Sequence, residues 1–367
     1  MLAEIASLFS IYGEFISAIP FGKGHINDTF KSFWNQAGIT TSYTHQRIND
    51  RIFVHPDRVM DNILRVTKHI TDKNRADSTA SWSRRSLTVI PALDGKPWAR
   101  DNKGNWWRAY LFIGNSHTRD TASSAEEARM LAEAVGLFQS QLSDLPAPRL
   151  YDTIEDFHDM EKRYPLFYDA LEKNPYGRAG AAEVEINFFK ENEKRGSILI
   201  RALREKLIPE RICHNDTKMN NILIDDNDLS ALCMIDLDTV MPGSSLYDLG
   251  DLIRTAANKA AEDEQDTTKA AFDTNFYKSI LEGYLTHAKK ILIQKEKDLL
   301  AESGRYMTQI MGLRFLTDYL NGDKYYRTSR PDHNLDRCRV QIALIKSMDS
   351  EWNTIQDITR NILSHGG

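Results

Sequence analysis

The chain has 367 residues, 41% hydrophobic and 27% charged, with a formal net charge of −5. That balance fits an ordinary globular protein, excludes a largely disordered chain, and offers a nucleic-acid partner no basic surplus. The length suits two lobes better than one small core.

In chain order, Leu2 to Ile11 is mildly apolar but carries Glu4 and lacks a basic leader, which predicts a first amphipathic helix and not a signal peptide. Phe21 to Phe30 reads as strand, glycine turn, strand, with Gly22 and Gly24 in the turn, and Tyr43 to Asn49 as a further strand. His55-Pro56-Asp57 opens a predicted helix to about Thr71, with Val59, Ile63, Val66 and Ile70 at helical spacing. Leu87–Leu93 and Trp106–Ile113 are predicted strands, the second ending at Gly114-Asn115. Helices follow at Ser124–Leu142, led by a capping pattern, and across 183–208, 246–258, 270–300, 305–321 and 333–363. Between them, Ile222–Ile224 and Leu232–Ile235 read as buried hairpin strands. The expected class is α+β, a β-rich lobe over 1–112 and a mainly helical lobe over 113–367.

Cys213, Cys233 and Cys338 have no close pairing and no metal-ligand spacing, so reduced thiols are expected. No apolar run reaches the roughly 20 residues of a membrane span. The reading is a cytoplasmic monomer or weak homo-oligomer with no membrane partner.

The chemistry concentrates in His214-Asn215-Asp216-Thr217-Lys218-Met219-Asn220-Asn221, followed by Ile235-Asp236-Leu237-Asp238. Phosphoryl transfer from ATP needs a carboxylate to hold the acceptor hydroxyl, and oxygen ligands for Mg2+. Asp216 is the candidate base, Lys218 the candidate neutraliser of the transferring group, and Asn221 and Asp236 the candidate Mg2+ ligands. His214 is read as structural. Gly22 and Gly24 allow close backbone approach to phosphates, with Asn27 where a protein kinase has a third glycine. Arg47, a cation on the strand after that turn, is the candidate phosphate contact, with Asp57 and Asp61 as alternative acidic partners on the next helix. Arg314 and Asp318 lie one helical turn apart before Asn321-Gly322, and with Tyr325 and Tyr326 form a group able to hydrogen-bond and stack on a sugar. The run Glu262-Asp263-Glu264 with Asp266 is read as a solvated loop or helix start.

HNDTKMNNIL followed by MIDLDTVMPGSSLYDLGDLIR resembles the aminoglycoside phosphotransferase superfamily, which also holds choline and homoserine kinases. PFGKGHINDTF, HQRIN, WWRAYLFI and RFLTDYLNGDKYYR are similar, more narrowly, to the branch of N-acetylhexosamine 1-kinases. The resemblance spans nearly the whole chain. It implies a protein-kinase-like bilobal fold, ATP bound between the lobes, and transfer to the anomeric hydroxyl of a small-molecule sugar, N-acetylglucosamine or N-acetylgalactosamine. It implies Asp216 as base, Asn221 and Asp236 as Mg2+ ligands, Phe112 and Ile113 at the adenine hinge, and Arg314 and Tyr325 lining the sugar pocket. Asp238 is a further metal or structural candidate. Arg47 departs from the lysine of many relatives. The competing readings are a kinase of another hydroxyl acceptor (an aminoglycoside, choline, homoserine or another hexose) and an inactive nucleotide-binding scaffold.

Overall fold

A computed structural model describes residues 2–22, 26–78 and 81–365. It begins with the short helix α1 (Leu2–Ala6), then strands β1 (Glu14–Pro20), β2 (Asp28–Gln36) and β3 (Ile39–Arg47). The β2–β3 hairpin turns on Ala37 and Gly38, both at positive φ, the backbone of a tight two-residue turn. Helix α2 (Pro56–Ala76) starts on the predicted proline and runs a turn past the expected end. Strands β4 (Val89–Ile90), β5 (Ala99–Arg100), β6 (Trp106–Leu111) and β7 (Ser116–His117) follow. Helices α3 (Ala125–Leu142), α4 (Met160–Lys173), α5 (Glu183–Asn192) and α6 (Ile198–Arg204) lead to strands β8 (Arg211–Cys213), β9 (Ile222–Asp225), β10 (Ala231–Met234) and β11 (Met241–Gly243). The chain ends in α7 (Ser245–Ala256), α8 (Thr274–Ala288), α9 (Gln294–Asp298), α10 (Leu300–Leu320), α11 (His333–Ser350) and α12 (Trp352–His365).

These elements form two compact units, each assembled from separate stretches. One comprises Met1–Thr118, Asp144–Glu155 and Leu223–Met241; the other comprises Arg119–Ser143, Asp156–Ile222 and Pro242–Gly367. The first unit holds an antiparallel sheet in the order β1-β2-β3-β6-β4, with β5 also paired to β6. Alternate residues of β6 serve different faces. Trp107 and Ala109 join a core with Ile5, Phe9, Ala92 and Ala99. Arg108, on the opposite face, reaches Met60 of α2. The hairpin predicted after the catalytic segment is present as β9 and β10, with β7 added at its edge.

In the second unit α10 is buried around most of its circumference, as expected of a helix enclosed by others. The architecture is the α+β class expected: a small antiparallel sheet in one unit and helices dominating the other.

Three predicted long helices are broken. The 183–208 stretch is interrupted by a 3-10 turn at Arg195–Ser197, where a Cβ on Gly196 would collide with the Gln309 amide. The 270–300 stretch breaks before α9, where Glu296 caps Ile293 N and also pairs with Arg211. The last helix divides at Glu351, which turns Trp352 beneath the Arg305 guanidinium. In each case a tertiary contact outweighs helical periodicity. Helix α4 had no counterpart in the sequence reading, because Pro165 lies inside it. Cys213, Cys233 and Cys338 are free and buried. Among the described residues no helix is long and apolar enough to cross a membrane.

Gly250 lets α7 and α10 touch backbone to backbone. A Cβ there would meet the Ser303 carbonyl, and Met307 Cγ at 2.6 Å. Gly250→Ala is expected to cost about 1–3 kcal/mol by overpacking, read as a lower midpoint in urea denaturation with an unchanged slope.

Candidate active site

The segment after β8 is a short loop fixed by one buried carboxylate. Asp248, in the first turn of α7, accepts from the backbone N–H of His214 at 2.9 Å and of Asn215 at 2.7 Å. It also accepts from Gln139 Nε2 at 2.8 Å. The Thr217 hydroxyl donates to its carbonyl. Burial raises the Asp248 carboxyl above the ordinary carboxylate range, opposed by His214 and these donors. Asn215 adopts a left-handed φ of 64°, a conformation asparagine tolerates better than most residues. Its carbonyl accepts from His158 Nε2 at 2.9 Å. Burial, then Arg314, pushes the His158 pKa down to about 3. The neutral ring therefore has one N–H, and the carbonyl partner places it on Nε2.

This frame presents Asp216 with its side chain 29% exposed. Lys218 Nζ lies 3.2 Å from its Oδ1. Asn221 Nδ2 donates to its Oδ2 at 3.0 Å and to its carbonyl at 2.8 Å. Burial alone would raise the Asp216 carboxyl, but Lys218, His214 and Arg254 together hold it below the ordinary range. It is thus an ionised acceptor that need not be a strong base to orient a hydroxyl. With Nδ2 committed to Asp216, the atom of Asn221 left for a cation is Oδ1. Asp251, one turn along α7 from Asp248, pairs with Arg254, which also holds Glu262 at 2.6 Å.

The acidic run lies on a loop, and Asp266 caps the 3-10 turn Thr267–Lys269 as the helix-start reading expects, but the other three carboxylates also make internal ion pairs. Besides Glu262 on Arg254, Asp263 binds Arg330 and His333, and Glu264 binds Lys269. Arg254 and His333 are buried and Arg330 is partly buried, while Lys269 is an exposed residue of the next turn.

Arg314 and Asp318 share a face of α10 but do not pair. Asp318 instead accepts the backbone N–H groups of Lys324, Tyr325 and Tyr326 at 2.8–2.9 Å, and Asn334 Nδ2 at 3.0 Å. It thereby folds the segment after α10 back on itself. That brings the rings of Tyr325 and Tyr326 to 5.5 and 5.6 Å from the Arg314 guanidinium, with Phe157 at 4.5 Å. Arg314 is 9% exposed, while Tyr325 is 40% exposed. A second cation is near: burial and Arg314 push Arg163 down to about 10.

In the sheet unit, Gly22 has a φ of 79° and follows the Phe21 N–H to Thr29 carbonyl bond that closes the hairpin. Gly24 lies outside the described residues. Arg47 is half exposed and pairs with Asp28 across the β2–β3 ladder, so its partner stands on a strand and not on α2. Phe112 packs edge to face on Phe21 at 5.3 Å, and Lys31 Nζ stands 3.6 Å from its ring centre. The Ile113 carbonyl accepts from the Ser116 hydroxyl at 2.8 Å. Asp236 has a left-handed φ of 57° and leads the 3-10 turn Leu237–Thr239. Asp238, two residues on, is buried. It binds Arg108 and accepts from Asn27 Nδ2 at 2.5 Å.

The site therefore brings Asp216, Lys218 and Asn221 together in the helical unit, alongside the Arg314–Tyr325 group. Gly22, Asn27, Arg47, Phe112, Ile113 and Asp236 stand in the sheet unit. Asp248, Gln139, His158 and Arg108 had no role in the sequence reading. Asp248 lay in plain view in the Tyr247-Asp248 pair after the second acidic motif. Arg108 is a lone cation in the apolar run Trp106–Phe112, while Gln139 and His158 stand among other polar residues with nothing local to single them out.

A phosphotransferase enzyme family model matches residues 43–286. The chain belongs to that family. An aminoglycoside phosphotransferase of Alicyclobacillus acidocaldarius matches with a TM-score of 0.59 at 9% identity, covering 98% of this chain and 96% of its own. An ethanolamine kinase of Plasmodium vivax matches at 0.57 and 12% identity, covering 91% and 84%. A spectinomycin phosphotransferase in complex with ADP and spectinomycin matches at 0.52 and 15%, covering 95% and 94%. At these identities the likeness speaks to a shared protein-kinase-like fold.

Asp248→Ala would leave the backbone N–H groups of His214 and Asn215 without the acceptor Asp248 provides, and Gln139 Nε2 with only the Ser245 carbonyl. A loss of roughly 3 kcal/mol or more is expected from stranded buried donors, measured by denaturant unfolding.

Proposed function

We propose that the chain is an ATP-dependent N-acetylhexosamine 1-kinase. Asp216 accepts the proton of the anomeric hydroxyl while that oxygen forms its bond to the γ-phosphorus. The bond from the γ-phosphorus to the bridging oxygen breaks, and ADP leaves. Lys218, whose Nζ lies 3.2 Å from Asp216 Oδ1, turns toward the transferring group and offsets its charge. Asn221 and Asp236 supply oxygen ligands for Mg2+, which when bound neutralises charge on the nucleotide phosphates. Among the described residues no cluster of three or more His, Cys, Asp or Glu forms a ready metal cage. This agrees with an ion that takes one or two protein ligands and completes its shell with phosphates and water. Gly22 and the backbone near Asn27 offer room for the phosphates, Arg47 a cation, and Phe112 and Ile113 the adenine edge.

The observation that carries the acceptor assignment is Arg314 embedded among Phe157, Tyr325 and Tyr326 in the unit that holds Asp216. A quaternary ammonium needs aromatic faces with no cation between them. A polycationic aminoglycoside would face Arg314 and Arg163, and the nearby acidic run is already committed to internal partners. A neutral sugar bearing hydroxyls and an amide suits a guanidinium donor and ring faces.

ADP release with N-acetylglucosamine and N-acetylgalactosamine, and phosphorus NMR of the product, tests the reading. A sugar 1-phosphate is expected, and no turnover with either sugar would overturn it; choline, homoserine, aminoglycosides and other hexoses form the comparison panel. Asp216→Asn is expected to lower kcat about 10²–10⁴-fold with nucleotide affinity retained. Arg314→Met is expected to raise the KM for sugar and leave that for ATP unchanged.

A pH prediction follows from the depressed Asp216 pKa. The active, ionised form persists above that pKa and is lost only as pH falls through it. The acid limb of kcat attributable to Asp216 should therefore lie below about pH 4; a limb near pH 6 would contradict it.

A further inference from the structure

We propose that Arg108 and Asn27 are positioning residues that set the turn carrying Asp236 and lock it to the chain leaving the glycine turn. The inference rests on the proposed role of Asp236 as an Mg2+ ligand. It explains why an asparagine, and not a third glycine, follows that turn.

The observation is a closed ring of side chains within the sheet unit. Asn27 Nδ2 donates to Asp238 Oδ2 at 2.5 Å. Asp238 Oδ1 accepts from Arg108 Nη1, a pair with both side chains under 5% exposed. Arg108 Nε donates to Gln46 Oε1 at 2.9 Å, across the β3–β6 ladder where the two residues are partners. Gln46 Nε2 donates to Thr29 Oγ1 at 3.0 Å, again between ladder partners, on β2 and β3. Thr29 is joined through Asp28 to Asn27, which closes the ring. Asn27 Oδ1 also accepts the Asn49 N–H at 3.0 Å. Both ends of its amide are thus committed, and glycine could supply neither contact.

The turn so held needs fixing. Asp236 is a non-glycine residue in the left-handed region, a conformation that persists where its surroundings over-determine it. Asp238 fixes the turn from one side. Asn62 of α2 fixes it from another, donating to the Val240 carbonyl at 2.9 Å and to the Tyr151 carbonyl at 2.8 Å. The Arg108 charge also acts on Asp236 itself, more weakly than on Asp238. A buried Arg–Asp pair contributes little net stability once desolvation is counted. Its hydrogen bonds, spread over three strands and the turn, give it directional control instead. Asp238 is thereby assigned to positioning and not to the metal.

The test is nucleotide binding by the full-length protein, titrated calorimetrically with ADP in excess EDTA and in Mg2+, for wild type, Asn27→Ala, Arg108→Met and the double variant. Second-row ligand-orienting groups control metal affinity by about 10- to 100-fold. Each single variant is expected to weaken ADP affinity in Mg2+ by about that factor more than in EDTA, and for Arg108→Met, which touches no nucleotide in the proposed mechanism, affinity in EDTA should stay within about twofold of wild type. The double variant should fall short of the product of the two effects, since both act through Asp238. Arg108→Lys, keeping charge but losing the Gln46 contact, should lie between. Should Arg108→Met fail to fold, Asn27→Ala, which removes no buried charge, decides the matter. Equal losses with and without Mg2+, or an unchanged Mg2+ dependence in a folded Asn27→Ala, overturns the proposal. If wild-type affinity itself is indifferent to Mg2+, the metal role of Asp236 and this inference fall together. A negative sugar panel with the predicted binding changes would sink only the acceptor assignment.

Discussion

The helical unit is organised around a buried carboxylate that cannot be left unsatisfied. Asp248 is withdrawn from water and has three strong donors aimed at it, two of them backbone N–H groups of the loop that carries Asp216. Removing a carboxylate from solvent is costly unless such donors replace water. The requirement works in both directions: the loop satisfies the carboxylate, and the carboxylate dictates the loop. The left-handed Asn215, the neutral His158 on its carbonyl, and the packing of α7 on α10 through Gly250 all serve that one junction. The geometry of Asp216, Lys218 and Asn221 is its consequence.

The sheet unit solves a similar problem with different parts. There the residue in the left-handed region is Asp236, and the buried carboxylate, Asp238, stands two positions after it, held by Arg108 and Asn27. In both units a short loop bearing a chemically important side chain is held by a charge that itself touches no substrate in the proposed mechanism. Such loops are cheap to deform, and the buried pairings restrict them to one arrangement. The segment after α10 follows the same logic at lower cost: Asp318 gathers three consecutive N–H groups and so turns two tyrosine rings toward Arg314.

Much of the class was legible because its signals are local. Proline at the start of α2, the Ser124 cap of α3 and the apolar hairpin runs after Asn221 each depend on neighbours a few residues away, and the elements formed there. The breaks in the long helices were not legible, since Gly196, Glu296 and Trp352 answer to Gln309, Arg211 and Arg305, which are distant in sequence. The internal ion pairs of the acidic run were hidden for the same reason. A cluster of carboxylates looks solvated in one dimension, and only the fold brings Arg254, Arg330 and His333 to it.

The amino-acid sequence by itself determined the phosphotransferase family, because its motifs lie in two short segments whose spacing is fixed along the chain. It determined the α+β class as well, through periodicity and turn chemistry. Tertiary structure alone decided how those parts are held. The partners of Asp238 and of Asn215 come from elements tens to hundreds of residues away, and a hydrogen bond between distant residues leaves no periodic trace. It also decided that Arg47 faces Asp28 at the surface while the buried cation of the sheet is Arg108, a distinction set by which face of a strand is covered.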